Sequence, residues 1–309
     1  MRFDRVLVLG GSGFIGRHLV AELVRRGKKV TVPSRHRERA KHLILLPTVQ
    51  VVEADVFGPG VLPELVRGHD SVINLVGVLH GPGFERAHVE LPKAIVEACR
   101  TCGVKRLLHM SALGASTDAP SEYQRSKGRG EAVIMEAADL DATVFRPSVV
   151  YGPEDQFLNL FARLARRLPV LAVPSPDARF QPVYVGDVSQ AFAEALDNPD
   201  ATGRRYELAG PREYTLKELV NLVCQFTGRH RLVVGLPQGL SSLQAFFLEK
   251  LPGRLMSRDN VRSMQVPNTT QAPFPFGIQP RALEAVAPTY LAPSGPRERY
   301  PQLRWRARR

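Results

Sequence analysis

Residues 5–26 read as strand, glycine turn and helix, and that order leaves few folds open to the chain. Arg5-Val6-Leu7-Val8-Leu9 is a short, continuous apolar run, which suits a parallel strand buried on both faces. Gly10-Gly11-Ser12-Gly13-Phe14-Ile15-Gly16 follows, satisfying G-x-G-x-x-G from Gly11 and G-x-x-G-x-x-G from Gly10. A helix is predicted from Phe14 to Arg26, with Ile15, Leu19 and Leu23 at helical spacing and Gly27 as its stop. Glycines permit the tight turn and let backbone approach a pyrophosphate. The helix N-terminus then offers unpaired N–H groups and a partial positive charge. A glycine motif alone is weak evidence, but this one sits between its strand and its helix. All seven residues, Gly10 to Gly16, are therefore candidate contacts to a dinucleotide.

The same alternation continues. Strands are predicted at Lys29–Val32, Val49–Val52, Ser71–Leu75, Arg106–Met110 and Ala142–Phe145, with helices between most of them, notably Glu85–Arg100 and Tyr123–Ala138. Alternating strand and helix implies a parallel sheet with right-handed crossovers. After Arg146-Pro147 proline becomes frequent and strands become irregular. The expected fold is α/β: a Rossmann-type doubly wound parallel sheet with a smaller, irregular C-terminal lobe. The sheet domain is expected at 1–150, with 181–209 returning to it, and the lobe at 151–180 and 210–309.

An NAD-selective site places Asp or Glu after the second strand to hold the ribose hydroxyls. Here the segment reads Val32-Pro33-Ser34-Arg35-His36-Arg37, with no carboxylate before Glu38. Arg35 can instead fork onto a 2′-phosphate, and Arg17, just inside the first helix, can reach the same group. NADP(H) is thus the expected cofactor, ahead of NAD(H). Asp55 and Val56 follow the third strand and are expected near the adenine. Gly77, after the fourth strand, keeps the wall beside the cofactor low, and Pro147, after the sixth, borders the same site.

Tyr123 and Lys127 stand four residues apart, hence on one helix face. An ammonium beside a phenol stabilises phenolate and lowers a pKa that starts near ~10. Such a tyrosine can pass a proton to or from a carbonyl or alcohol oxygen during hydride transfer, and the lysine can also hold the nicotinamide ribose.

With these residues in place the chain resembles the short-chain dehydrogenase/reductase superfamily, in its extended or atypical branch, of the epimerase/dehydratase type. The glycine turn, Ser111, Tyr123 and Lys127 carry the resemblance, as do Arg146–Pro153, Gln181–Val188 and Tyr206–Pro211. A narrower resemblance covers nearly the whole chain. It is similar to the bacterial relatives of the nucleotide-binding accessory subunit, alpha-subcomplex subunit nine, of respiratory complex I. Val32–Arg35, His109–Ala115, Asp155–Asn159, Met256–Val261 and Ala285–Leu291 carry it. The resemblance implies a tightly held NADPH and a protein partner in a respiratory complex. Many catalytic members of the superfamily carry paired serines after strand five, whereas here Ser111 precedes Ala112. Counting back from Gly114 puts Ser111 at the catalytic position; counting from the strand puts Ala112 there. The count from Gly114 makes Ser111 the expected catalytic serine.

The net charge of +12 admits a phosphorylated ligand, an anionic membrane surface or nucleic acid. No helix-turn-helix, zinc-finger or RNP-type pattern supports the last, so no nucleic acid is expected. Apolar residues Leu240, Leu243, Phe246, Phe247, Leu251 and Leu255 recur within Leu236–Leu255, with Lys250 and Arg254 among them; Trp305 stands among the arginines of the tail. That pattern fits either packing inside the lobe or a helix lying on an anionic bilayer. Three cysteines argue against a disulfide framework. Cys99 and Cys102 form a lone C-x-x-C, best read as packing, and no metal is expected. The start of the chain lacks the apolar core of a signal peptide. A cytoplasmic location is expected, with peripheral binding to the inner face of the membrane as an extension. Two functions remain open: an active oxidoreductase or epimerase, and a protein that holds NADPH while docked to a membrane-associated complex.

Overall fold

The computed structural model describes residues 3–79, 81, 83–236 and 257–292. Seven parallel strands make one sheet: β1 (Arg5–Leu9), β2 (Lys29–Ser34), β3 (Val49–Glu53), β4 (Ser71–Asn74), β5 (Arg106–Met110), β6 (Asp141–Pro147) and β11 (Arg205–Leu208). Their order across the sheet is β11-β6-β5-β4-β1-β2-β3. The direction of winding reverses between β1 and β4, where Leu9 pairs with Asn74. That reversal opens a crevice at the C-terminal ends of the strands, the usual place for a ligand in such a sheet.

Helices cover both faces. On one, α1 (Phe14–Arg25) packs against α7 (Val185–Leu196) with the short α2 (Lys41–Ile44) in the same core, and Leu19, Val20, Leu23, Phe192 and Leu196 meet Val6, Val8, Ile73, Leu108 and Phe145. On the other lie α3 (Val61–Val66), α4 (Leu91–Cys102) and α5 (Glu122–Glu136), over Leu7, Leu9, Val72, Leu107 and Val144. Every one of those strand residues is fully buried, so the strands read as continuous apolar runs rather than alternating ones. Of the stretch 181–209 expected to return to the sheet, Arg205–Leu208 does so, as β11 beside β6. Val183–Leu196 supplies only two strand residues, β10 (Val183–Tyr184), before becoming α7.

The predicted helix Glu85–Arg100 is broken at its start. Arg86–Glu90 is a π-helical turn, and α4 begins after it. Pro92 stands at the start of α4. It has no N–H for the carbonyl of His88, so the α-helical ladder cannot pass through this point and the turn widens. The His88 carbonyl faces α5 instead, 1.7 Å from where a Cβ on Gly130 would lie.

Beyond β6 the structure is built of short pieces. The pairs are β7 (Val150–Tyr151) with β10, β9 (Arg179–Phe180) with β12 (Tyr214–Thr215), and β8 (Val170–Pro174) with β13 (Leu232–Leu236). Helices α6 (Phe157–Arg167) and α8 (Leu216–Phe226) pack with them, and Leu158, Phe161, Leu171, Leu219, Val220 and Val223 form a separate core. The short helix α9 (Arg258–Ser263) meets the start of α5; Phe274, Phe276 and Ile278 then pack on the core of the sheet, while Leu283, Ala287 and Leu291 join the core of the lobe. Most of the basic, apolar stretch Leu236–Leu255 lies outside the described residues, as does the arginine-rich tail. Among the described residues no helix is long and apolar enough to cross a membrane.

Candidate functional site

The turn after β1 is shaped by backbone contact. Gly10 has φ +81°, and a Cβ there would meet the Leu75 carbonyl carbon at 3.0 Å. A Cβ on Gly16 would lie 2.3 Å from the Gly10 oxygen, so the first turn of α1 rests directly on the glycine loop. Gly13 differs: its Cβ would meet only the Gly10 oxygen, at 3.3 Å. The fold presses for glycine less strongly at 13 than at 10 or 16, so the space beside Gly13 is open to an anion approaching the loop. Gly13 is also the N-cap of α1, and no side chain caps that end. The first N–H groups of the helix are left for another acceptor. This bare helix start, flanked by glycine, fits the pyrophosphate of a dinucleotide. The ring of Phe14 lies within 3.3 Å of a Cβ on Gly152 and edge-on to His18, and Ile15 packs against the core, which leaves only their backbone to face the loop.

At the adenosine end Arg35 is exposed and makes no ion pair among the described residues. Arg17 already faces a carboxylate, Glu154, at 3.7 Å, and His18 Nε2 shares it at 3.0 Å. The Nε of Arg17 is buried without a partner. Asp55 accepts the Phe57 N–H at 3.2 Å in a tight turn. A groove of ≈ 380 Å³ includes Val56, Phe57 and Arg86 but no residue of the glycine turn, nor Tyr123 or Lys127; it is separate from the crevice.

The redox end gathers around Gly77, just past β4. A Cβ on Gly77 would stand 3.2 Å from Lys127 Nζ and 3.4 Å from His88 Nε2, so glycine here is what lets those two side chains reach the crevice. Lys127 is buried and donates to the Met110 carbonyl at 3.0 Å. Burial pulls its pKa down to about 8. Tyr123 is half-buried, and desolvation pushes its phenol up to about 12. The i, i+4 spacing predicts that the lysine lowers the phenol. The two side chains do share a helix face, but Lys127 is committed to a backbone carbonyl, and desolvation outweighs any help it gives. Ser111 is 2% exposed and its hydroxyl has no partner. Its backbone N–H goes to Phe145. Ala112 is also buried but has no polar atom to offer. Pro147 closes β6, its carbonyl held by the Leu113 N–H at 2.9 Å.

Four further buried polar residues, His88, Ser126, Asn74 and His109, line this end of the site without a motif in the sequence to mark them. His88 Nε2 accepts the Val78 N–H at 3.1 Å, so the ring proton sits on Nδ1 and is donated to Ser126 Oγ at 2.9 Å. Ser126 passes a hydrogen bond to the Tyr123 carbonyl. Burial and the Lys127 charge hold the His88 pKa down to about 3, so the ring is neutral. It lies edge-on to Tyr123 at 5.6 Å and stacks with Phe84. Asn74 Oδ1 takes the Val76 N–H, leaving its amide to donate to His109 Nδ1 at 3.1 Å. The His109 Nε2–H, 1% exposed as a residue, is then a donor without an acceptor. Only the π-helical turn, forced by Pro92, carried a sequence signal for any of this. Cys99 and Cys102 are free thiols; Cys99 is buried and its pKa pushed up to about 12, and Cys102 donates to the Pro63 carbonyl. Among the described residues no group of His, Cys, Asp and Glu is placed to hold a metal.

Known proteins resemble this chain in sequence and in fold. The chain is 33% identical over 301 residues to "NADH dehydrogenase [ubiquinone] 1 alpha subcomplex subunit 9, mitochondrial" of Rattus norvegicus, covering 90% of this chain and 77% of that one. It is 35% identical over 198 residues to the ceramide reductase of Caulobacter vibrioides, covering 63% and 61%. Among solved structures, a nucleoside-diphosphate-sugar epimerase from Staphylococcus aureus superposes with a TM-score of 0.74 at 18% identity, over 91% of this chain and 98% of that one. The model of the NAD dependent epimerase/dehydratase family matches residues 6–209, from the second residue of β1 to the strand that closes the sheet, and the chain belongs to that family.

Proposed function

We propose that the chain binds NADP(H) in preference to NAD(H) and interconverts a carbonyl and an alcohol at a site formed by Tyr123, Lys127 and Ser111. The observation that carries this reading is Gly77. A side chain there would crowd Lys127 Nζ and His88 Nε2, and its absence admits both to the crevice that the glycine cradle opens. When bound, the nicotinamide supplies or accepts the hydride. Tyr123 gives its phenolic proton to the carbonyl oxygen during reduction and recovers it during oxidation. Ser111, whose hydroxyl is otherwise unpartnered, donates to the same oxygen. Lys127, with two ammonium protons left beyond the Met110 bond, holds the nicotinamide ribose. Arg35 selects the 2′-phosphate, with Arg17 drawn from Glu154 to help. The lobe of residues 151–180 and 210–309 forms the substrate side.

The similarity to a respiratory-complex subunit across nine-tenths of the chain favours a second reading. In it the same site holds NADPH without turnover, and the second lobe docks to a protein partner at the membrane.

One titration series tests the first reading. NADPH should bind wild type about tenfold more tightly than NADH, the worth of a charge-assisted hydrogen-bonded pair, and Arg35→Ala should erase most of the difference. Tyr123→Phe should keep cofactor affinity and abolish oxidation of candidate alcohols. Equal affinities for the two cofactors in wild type would remove Arg35 from the assignment. A cofactor that survives purification and never turns over in wild type selects the second reading.

A further inference from the structure

The helix that carries Tyr123 and Lys127 is held at its start by a residue from the far end of the chain. A helix begins with four N–H groups that its own carbonyls cannot reach. In α5 the Ser121 side chain accepts one of them, from Gln124, and the Ser121 carbonyl takes the Arg125 N–H as the first regular bond of the helix. Glu122 and Tyr123 carry two more. Both go to Asp259, with Glu122 N donating to Oδ1 at 2.8 Å and Tyr123 N to Oδ2 at 3.0 Å. One carboxylate, 136 and 137 positions away in sequence, grips two successive amides with separate oxygens. A fork of this kind fixes rotation as well as position.

Asp259 is itself held firmly. Ser257 and Asn260 cap α9 reciprocally, Val261 is buried, and Ser263 Oγ donates to the Asp259 carbonyl. Farther along, Asn268 accepts from Ser148 Oγ at 2.6 Å and from Val149 N at 3.0 Å, and donates to the Leu113 carbonyl at 3.3 Å. Residues 257–268 thus run as a strap from the start of α5 to the loops after β5 and β6. The far side of α5 leaves no slack. Cβ atoms on Gly128 and Gly130 would lie 2.6 Å from the Ser116 backbone and 1.7 Å from the His88 oxygen.

We propose that Asp259 is a positioning residue: by gripping the Glu122 and Tyr123 amides it sets the placement of α5, and so delivers Lys127 and Tyr123 to the nicotinamide end of the site. This rests on reading α5 as the redox face. The strap then makes the second lobe part of the catalytic geometry, and not only a wall beside it.

Two ligands separate the effects. Adenosine 2′,5′-bisphosphate probes the cradle and Arg35 alone; NADPH probes both ends. Calorimetric titration of each into wild type, Asp259→Ala, Asp259→Asn, Lys127→Ala and the Asp259→Ala/Lys127→Ala double variant gives the affinity advantage of NADPH over the bisphosphate. Asp259→Ala should cut that advantage about three- to tenfold, the range of a lost helix cap, while bisphosphate affinity stays within about twofold of wild type. Asp259→Asn, which keeps one acceptor oxygen, should fall between. In the Lys127→Ala background the second substitution should change nothing further. Should Asp259→Ala fail to fold, as judged by its melting curve, the Asn variant carries the comparison. An unchanged NADPH advantage in the Asp259 variants, or an equal loss with Lys127 absent, overturns the proposal. If wild type shows no advantage, or Lys127→Ala retains it, the reading of α5 as the redox face fails and takes this proposal with it.

Discussion

The sheet and the second lobe are built by different chemistry. From β1 to β6 each strand finds its partner in a neighbouring strand, and apolar runs tell almost everything: Val6-Leu7-Val8-Leu9 and Arg106-Leu107-Leu108-His109-Met110 are buried throughout. The second lobe has a core as well, but its chain is placed by single polar clips. Tyr151 donates its hydroxyl to the Arg281 carbonyl, Tyr214 to Glu284 and Tyr290 to Asp155, while Asp187 takes the Arg281 N–H. Each clip joins residues 70 or more apart. Apolar periodicity is a local, redundant code in which one residue is one vote among many. A clip is a single pairing with no periodicity, so its loss is confined but its design is hidden. The sheet should therefore fail sharply under substitution at its turn, and the lobe should yield by small steps.

The largest effect is expected where the sheet's turn touches its helix. Gly16→Val would place a branched side chain where even a Cβ lies 2.3 Å from the Gly10 oxygen and 2.6 Å from the Gly11 Cα. Those neighbours are backbone and cannot swing aside. Displacing them should cost about 3 kcal/mol of stability, the upper range for overpacking. The same shift spoils the cradle, so dinucleotide affinity should drop roughly a hundredfold or more. Denaturant unfolding and titration with NADPH check both. A variant that melts like wild type and binds normally would mean that the loop is softer than its contacts imply, and the contrast between the two regions would weaken.

Lys127→Met should move stability and binding in opposite directions. Lys127 is 5% exposed and its folded pKa is pulled from 10.5 down to about 8 by burial. Below pH 8 the folded protein carries a charge it would shed, and the cost is present in full. Between pH 8 and 10.5 the folded state is neutral there while the unfolded chain is still protonated, so wild-type stability rises with pH through this window relative to the variant. At pH 7 the methionine should stabilise by about 1–3 kcal/mol, allowing for the lost bond to the Met110 carbonyl. That advantage should shrink as pH climbs above 8, and NADPH affinity should be lower in the variant. Thermal melts at pH 7 and pH 9.5 test the sign. A methionine variant less stable at pH 7 would identify Lys127 as a structural tie instead of a functional burden.

The strands, their parallel order and the glycine cradle were legible because each is written locally. Gly10 to Gly16 needed only its flanking strand and helix to be placed, and Tyr123 and Lys127 needed only helical spacing to share a face. The electrostatics were not legible. A spacing of four residues does not say that Lys127 will turn to the Met110 carbonyl, or that Tyr123 will be desolvated, because both depend on how α5 lies on the sheet. His88 was hidden for the same reason: nothing in Arg86–Glu90 marks a ring that bonds Val78 and Ser126 until Pro92 is seen to break the ladder. Arg106, at the head of β5, is buried and closes the end of α7 through the Ala195 and Leu196 carbonyls, a pairing that no local pattern marks. Arg17 was assigned to the phosphate without knowledge of Glu154, which reaches it from beyond β7.

The smallest effect is expected at a single clip of the lobe, and its pH dependence tells whether the clip works as described. Tyr290 donates its hydroxyl to Asp155 Oδ2 at 3.0 Å, and the same carboxylate accepts the Gly152, Leu158 and Asn159 N–H groups. Burial nevertheless wins, holding the Asp155 pKa above the ordinary carboxylate value. Tyr290→Phe removes one donor from the charged form and leaves three. It should cost about 1–2 kcal/mol near neutral pH, the worth of a hydrogen bond to an ionised group. The substitution raises the folded pKa of Asp155 further, so the deficit is present where the carboxylate is ionised and is lost as pH falls through that folded pKa. Urea unfolding of both proteins at pH 7 and near pH 4 should therefore show curves that converge in acid. Parallel curves would place the tyrosine's contribution in its ring packing. In that case the lobe, like the sheet, would be held by apolar contact, and the distinction between the two regions would rest on strand length alone.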